Sequence, residues 1–141
     1  MKLVITSHGD LCTGLVSSLN MIAGENKDVF TVKLTDAGIG EYTKNLHSLL
    51  DELIKEDSVL ILADLQGGTP YNQSYSYTLE HPEKTRVVYG VNLPMVIETS
   101  MMMNVISDLD ELANVAVNAG VSAVGTIQLD DSDDDDDDDL F

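Results

Sequence analysis

Short apolar runs alternate along this chain with longer stretches whose apolar residues recur every three or four positions. Leu3-Val4-Ile5-Thr6 is the first run, and it stops at Ser7-His8-Gly9. An unbroken apolar run of this length reads as a strand buried on both faces. Leu11, Leu15, Leu19 and Ile22 then keep helical spacing, with Gly24 where a helix end favours glycine. Residues 29–34 predict a second strand. Thr35-Asp36-Ala37-Gly38 leads from it to a helix striped by Tyr42, Leu46, Leu49, Leu50 and Leu53. Residues 58–63 predict a third strand, which ends at Asp64 and opens into Leu65-Gln66-Gly67-Gly68-Thr69-Pro70, with a helix over 71–81. Residues 85–91 predict a fourth strand, and Asn92-Leu93-Pro94 leads to a helix that starts at Pro94 and runs to about Val105. A last helix spans 108–119 with Gly120 closing it. Val121, Ala123, Ile127 and Leu129 suit a final strand over 121–129.

Strand and helix in alternation imply a mostly parallel sheet covered on both faces, because right-handed crossovers leave few other arrangements. The predicted fold is a doubly wound three-layer α/β/α sandwich. In such sheets, ligands and chemistry gather at the C-terminal ends of the strands, where neighbouring crossovers diverge. If His8 and Asp64 are to face each other there, strands one and three must be neighbours, which gives the order 2-1-3-4.

With 141 residues, 43% of them hydrophobic, the chain has the size and apolar content of one globular domain. It has no apolar run long enough to cross a bilayer and no signal-peptide pattern, so a cytoplasmic location is expected. One cysteine, Cys12, excludes an internal disulfide, and no Cys/His spacing suggests zinc, so no metal is expected. The net charge of −18 is unevenly spread: nine aspartates lie at Asp130, Asp131 and Asp133 to Asp139, leaving about −9 on the body. That balance argues against nucleic acid and favours basic protein surfaces. The acidic run over 130–141 is expected to be a disordered tail, since like charges repel and bury nothing. Residues 1–129 form the predicted domain.

Two stretches carry the candidate chemistry. His8 sits at the end of the first strand and Asp64 at the end of the third. A carboxylate that binds one imidazole nitrogen selects the tautomer and leaves the other nitrogen's lone pair free to attack. Gly67-Gly68 lets backbone approach a ligand closely, Thr69 suits an N-cap and Pro70 a helix start, so this loop has the chemistry of an anion site. On these residues alone it reads equally as a tight turn. With His8 as nucleophile, Gly68, Thr69 and Ser7 are expected to donate hydrogen bonds to a phosphoryl group. Asp36 and Gly38 would line one rim of the crevice, and Asn92 and Pro94 its far wall. No Gly-x-x-x-x-Gly-Lys loop is present, so ATP is not the expected donor, and no cofactor is expected. His47 and His81 read as surface or capping residues, Cys12 and Met101 to Met103 as packing, and Asp10 as a cap for the first helix.

The runs Val4 to Gly9, Ala63 to Asn72 and Gly90 to Met95, in that order, resemble the IIA component of mannose-family sugar phosphotransferase systems. The resemblance implies that His8 is the phosphorylated histidine, taking phosphate on Nε2 from phospho-HPr and passing it to a IIB component, with Asp64 bonded to the ring. It also implies indirect work with the membrane subunits IIC and IID and peripheral association with that permease. A homodimer that exchanges an antiparallel final strand, here residues 121–129, is a further implication. The poly-aspartate run departs from the family. From another class, the rival reading is a non-catalytic flavodoxin-like module that holds a phosphorylated ligand on the glycine loop.

Overall fold

A computed structural model describes residues 1–130 of the chain. Nine elements follow in order: β1 (Lys2–His8), α1 (Leu11–Ala23), β2 (Val29–Leu34), α2 (Ile39–Leu53), β3 (Val59–Ala63), α3 (Thr69–Glu80), β4 (Thr85–Tyr89), α4 (Leu93–Met102) and α5 (Leu109–Ser122). The four strands form one parallel sheet in the order β2-β1-β3-β4, as the sequence predicts.

Side chains on a strand alternate between faces, and the two apolar cores follow that alternation. Leu3, Ile5, Leu60 and Leu62 pack with Cys12, Leu15 and Leu19 of α1 and with residues of α4 and α5. Val4, Val59 and Ile61 face the other way, against Tyr42, Leu46 and Leu50 of α2 and Tyr77 of α3. Every residue of β3 is buried, which explains its uninterrupted Val-Leu-Ile-Leu-Ala sequence. Truncating Leu60 or Leu62 to alanine would cost about 2–5 kcal/mol by the usual cavity penalty.

This packing also creates the crevice. The helix that follows β1 lies on one face and the helix that follows β3 on the other, so the outgoing loops of these adjacent strands part at their C-terminal ends. Residues 8–10 and 64–68 border that gap.

One predicted element takes a different form. Val121 and Ser122 complete α5 instead of opening a strand, and residues 124–129 pair with no strand among the described residues. The helix passes through Gly120, whose carbonyl accepts a hydrogen bond from the Asn92 side chain at 3.1 Å. Strand propensity is expressed only against a partner edge, and the segment is not laid against one within its own chain. Of the acidic run expected to be disordered, all beyond Asp130 lies outside the described residues.

Candidate active site

β1 carries His8 to its C-terminal end, in register with Leu34 of β2. Gly9 follows with φ +58°, the left-handed turn that glycine tolerates, and its N–H donates to the Leu34 carbonyl at 2.8 Å. The chain is therefore pinned immediately after the imidazole.

Asp64, one residue past β3, reaches across the gap. Its Oδ2 accepts from the His8 backbone N–H at 2.8 Å and lies 2.8 Å from His8 Nδ1. A carboxylate only accepts, so Nδ1 carries a proton, and in the neutral imidazole Nε2 then holds the free lone pair. Asp64 is nearly buried, with 10% of its side chain exposed, whereas His8 is 48% exposed. Oδ1 of Asp64 is buried with no hydrogen-bond partner among the described residues. Among the described residues, the carboxylate thus spends both of its hydrogen bonds on His8.

Gly68 closes the other side of the ring. A Cβ placed on Gly68 would stand 2.7 Å from His8 Cε1 and 3.4 Å from Nε2, so only hydrogen fits while the imidazole stays on Asp64. Gly67 takes the positive φ of +85° that turns the loop. Its carbonyl accepts from the Asn72 side-chain amide at 3.0 Å. Asn72 holds the loop from inside α3; its sequence position at the helix start gave no pattern that singles it out.

The expected N-cap shifts by one residue. Gly68 occupies it, and Thr69 is the first helical residue, with no side-chain capping bond. The Gly68 N–H is already engaged by the Leu65 carbonyl at 3.1 Å, which corrects its expected role as an anion donor. The N–H groups of Thr69 and Tyr71 belong to the first turn of α3, where no helical carbonyl precedes them, and they meet the positive end of the helix dipole.

Ser7 is also redirected. It is buried, its hydroxyl donates to the Gly9 carbonyl at 3.1 Å, and it accepts the Cys12 N–H at 2.8 Å. Ser7 therefore caps α1 and braces the His8 loop instead of facing the cleft. The carboxylate of Asp10, expected to make that cap, pairs with Lys33 at 2.7 Å, and the ammonium holds it below its usual range. Cys12 is buried in the core, where desolvation pushes its thiol up.

Asp36 lines a cleft of about 450 Å³ with His8, Gly9, Asp10, Leu34 and Thr35. Gly38, at φ +104°, stands before α2 and donates to the Thr35 carbonyl, so it shapes the turn beneath this rim. Asn92 lines a different groove: it accepts the Met95 N–H at 3.1 Å as the cap of α4 while donating to Gly120. Pro94 sits in the first turn of α4 as predicted, outside the His8 cleft.

Beneath the site, Thr6 donates to the Val32 carbonyl at 2.7 Å, which leaves the Tyr42 hydroxyl to donate to Thr6 at 2.6 Å. Burial pushes the Tyr42 phenol up to about 12, so it stays protonated in that role. His47 packs edge-on to Tyr77 and His81 stacks on it, both away from the cleft.

An imidazole bonded through one nitrogen to a nearly buried carboxylate stands half-exposed at the mouth of a parallel sheet. The fold and site together define an α/β group-transfer domain. A family model described as the fructose IIA component of the phosphotransferase system matches residues 2–117. The chain belongs to that family: it is a IIA component of the mannose/fructose family of sugar phosphotransferase systems, and so a phosphotransferase of sugar transport.

Among its relatives, the fructose-specific EIIA component of Bacillus subtilis is 32% identical over 115 residues, covering 81% of this chain and 78% of that protein. The mannose-specific EIIAB component of Escherichia coli is 29% identical over 129 residues. That match takes in 91% of this chain but only 40% of the longer protein. A solved mannose/sorbose-specific IIA subunit from Enterococcus faecalis superposes with a TM-score of 0.83 at 37% identity, over 92% of this chain and 96% of that one. An EIIA component from Streptococcus agalactiae gives 0.79 at 26% identity, over 89% and 95%.

Proposed function

We propose that His8 accepts a phosphoryl group on Nε2 from phospho-HPr and passes it to a IIB component. The observation that carries this reading is the Nδ1 to Asp64 contact at 2.8 Å, which commits one nitrogen and frees the other. In the forward step the Nε2 lone pair forms a bond to phosphorus. The P–N bond of the donor breaks, and its electron pair returns to the donor's imidazole. Positive charge appears on the His8 ring as this happens, beside a carboxylate able to hold it. The Thr69 hydroxyl and the first-turn N–H groups of α3 are the donors assigned to the phosphoryl oxygens. Transfer to IIB runs the same step in reverse.

The test is incubation with phosphoenolpyruvate, enzyme I and HPr. The expected product is one acid-labile, base-stable phosphate per chain, mapped to His8 by mass spectrometry. No phosphate uptake would favour a non-catalytic module instead.

Asp64→Asn probes the carboxylate. Asparagine keeps the size, yet it lacks the charge that favours a positive ring, and its amide can donate to Nδ1 and select the wrong tautomer. A charge-assisted hydrogen bond is worth about 1.5–3 kcal/mol. If that is felt in the transition state, transfer slows roughly 10- to 100-fold. Rapid-quench kinetics are expected to show that loss with little change in melting temperature. A wild-type rate would remove the orienting role.

The assembly we propose is a homodimer in which residues 124–129 of each chain lie along β4 of the other. The outer edge of β4 has no strand partner among the described residues. An apolar groove of about 520 Å³ runs beside it, lined by Val87, Tyr89, Val117, Val121 and Val124 among others. Ile127 and Leu129 are exposed in the arm that follows α5. An open edge and an exposed apolar segment are liabilities that pairing removes.

Asn92→Asp tests how that arm is aimed. Aspartate can still accept the Met95 N–H and cap α4, but it loses the donor to Gly120 and sets a carboxylate against that carbonyl. Sedimentation equilibrium is expected to show a dimer dissociation constant raised roughly tenfold. An unchanged constant would detach Asn92 from assembly.

Residues 1–129 make up the carrier domain in this reading, with the acidic run as an appendage. The carrier works in the cytoplasm in this reading, associates peripherally with the permease and serves its IIC and IID subunits indirectly. No helix among the described residues is long and apolar enough to cross a membrane.

A further inference from the structure

One layer beneath His8 and Asp64, a packing face built mainly of apolar residues carries three hydroxyls. Thr6 precedes His8 by two residues, on the same face of β1, and its register partner Ala63 immediately precedes Asp64. The inward stripe of α3 is Pro70, Ser74 and Tyr77. Four helical residues rise about 6 Å and two strand residues about 6.6 Å, so Ser74 lies as far below the first turn of α3 as Thr6 lies below His8. Tyr42 enters this layer from α2, its hydroxyl 2.6 Å from that of Thr6. Thr6 and Ser74 are fully buried and Tyr42 is 1% exposed.

Two buried atoms of this region have no hydrogen-bond partner among the described residues: Oδ1 of Asp64, which needs a donor, and Oγ of Ser74. Buried polar atoms are nearly always paired, so two orphans of complementary kind call for an explanation. Tyr42 feels both groups. Burial is the chief cause of its raised phenol, the Asp64 carboxylate adds to the rise, and the Thr6 and Ser74 hydroxyls oppose it. Ser74 thus acts on the phenol without completing a well-formed hydrogen bond. Thr6 gives its proton to Val32 and Tyr42 gives its own to Thr6, which leaves Ser74 with the one uncommitted proton of the three.

We propose that Ser74 and Tyr42 are positioning residues for phosphoryl transfer. Ser74 is the donor available to the inner oxygen of Asp64, and Tyr42, anchored on Thr6, fixes where Ser74 stands. With both oxygens engaged, the carboxylate cannot rotate, so Oδ2 stays on Nδ1. A buried carboxylate held by a hydroxyl also stays ionised while the His8 ring takes up positive charge. This rests on the reading of His8 as the phosphoryl acceptor and names the residues that steady its partner.

Ser74→Ala and Tyr42→Phe each delete one hydroxyl and keep the bulk of the side chain. Transfer from phospho-HPr is expected to slow about 3- to 10-fold in each. Added to Asp64→Ala, the same substitutions should lower the residual rate by less than about twofold, because the carboxylate they position is gone. Nitrogen-15 spectra of the His8 ring supply a readout that a merely structural role would not move. The Nδ1-protonated form is expected to dominate in the wild-type chain and to share the population with the Nε2-protonated form in either variant.

A wild-type rate in either variant would overturn the proposal. Losses that multiply with that of Asp64→Ala would also overturn it, by assigning Ser74 and Tyr42 to the fold alone. A wild-type chain that takes no phosphate from phospho-HPr would end this proposal together with the His8 reading, a result visible before any variant is made.

Discussion

His8→Ala is expected to fold as the wild-type chain does and to take up no phosphate. The imidazole is half-exposed, so its removal opens no core cavity. The loop keeps its own restraints: the position 8 N–H to Asp64, Gly9 to Leu34, and the Ser7 hydroxyl to the Gly9 carbonyl. One hydrogen bond from a half-exposed, solvent-screened ring is lost, a penalty of about 1 kcal/mol or less against a typical domain stability of about 5–15 kcal/mol. The reaction, by contrast, has no substitute for the missing nitrogen. The chain's other two histidines, His47 and His81, lie against Tyr77 on the α2 and α3 side. Labelling from phosphoenolpyruvate through enzyme I and HPr should fall to background, with circular dichroism and melting close to wild type. Full labelling of His8→Ala would place the phosphate elsewhere and end the proposal.

Gly68→Ala carries the second large effect, through space alone. The backbone at Gly68 has φ −80° and ψ 167°, a conformation that alanine adopts without strain. The added methyl would nevertheless sit 2.7 Å from His8 Cε1, so the ring must move. Any such movement stretches the Nδ1 contact to Asp64 or turns Nε2 away from an incoming group. Misplacing a reacting group by about 1 Å can cost around 100-fold in rate, and a loss of that order is expected here. The melting temperature should fall by no more than a few degrees, because the ring can swing toward solvent. A small phosphoryl donor such as phosphoramidate and phospho-HPr should both lose rate, since the defect lies at the nitrogen itself. Transfer at the wild-type rate would show that the ring has room to spare and that Gly68 serves only the turn.

His8 and Asp64 were legible because each terminates an apolar run too hydrophobic to lie anywhere but mid-sheet. Chemistry that follows such a run emerges at one edge of a parallel sheet whatever the rest of the chain does. Gly67 and Gly68 were legible as a pair, but their division of labour was not. Gly67 supplies a positive φ and Gly68 an absent side chain, and only coordinates separate a backbone need from a spatial one.

The misreadings share a cause. Ser7 was expected to face an anion, yet its hydroxyl points into the protein to cap α1. Asn92 was expected on the crevice wall, yet it joins α4 to the last turn of α5, 28 positions along the chain. Residues 121–129 show strand-like alternation, but the first two extend a helix, while the rest pair with no strand among the described residues, their expected edge belonging to a second copy.

Taken alone, the sequence determined the order of elements through α5, the parallel sheet, and the sheet edge at which His8 and Asp64 emerge. Those follow from local hydrophobic periodicity and from the handedness of crossovers. Tertiary structure decided which hydroxyl or amide each loop residue engages and which glycine must lack a side chain. Short polar side chains choose among donors and acceptors brought within reach by distant segments, and the linear spacing of the chain does not encode that choice.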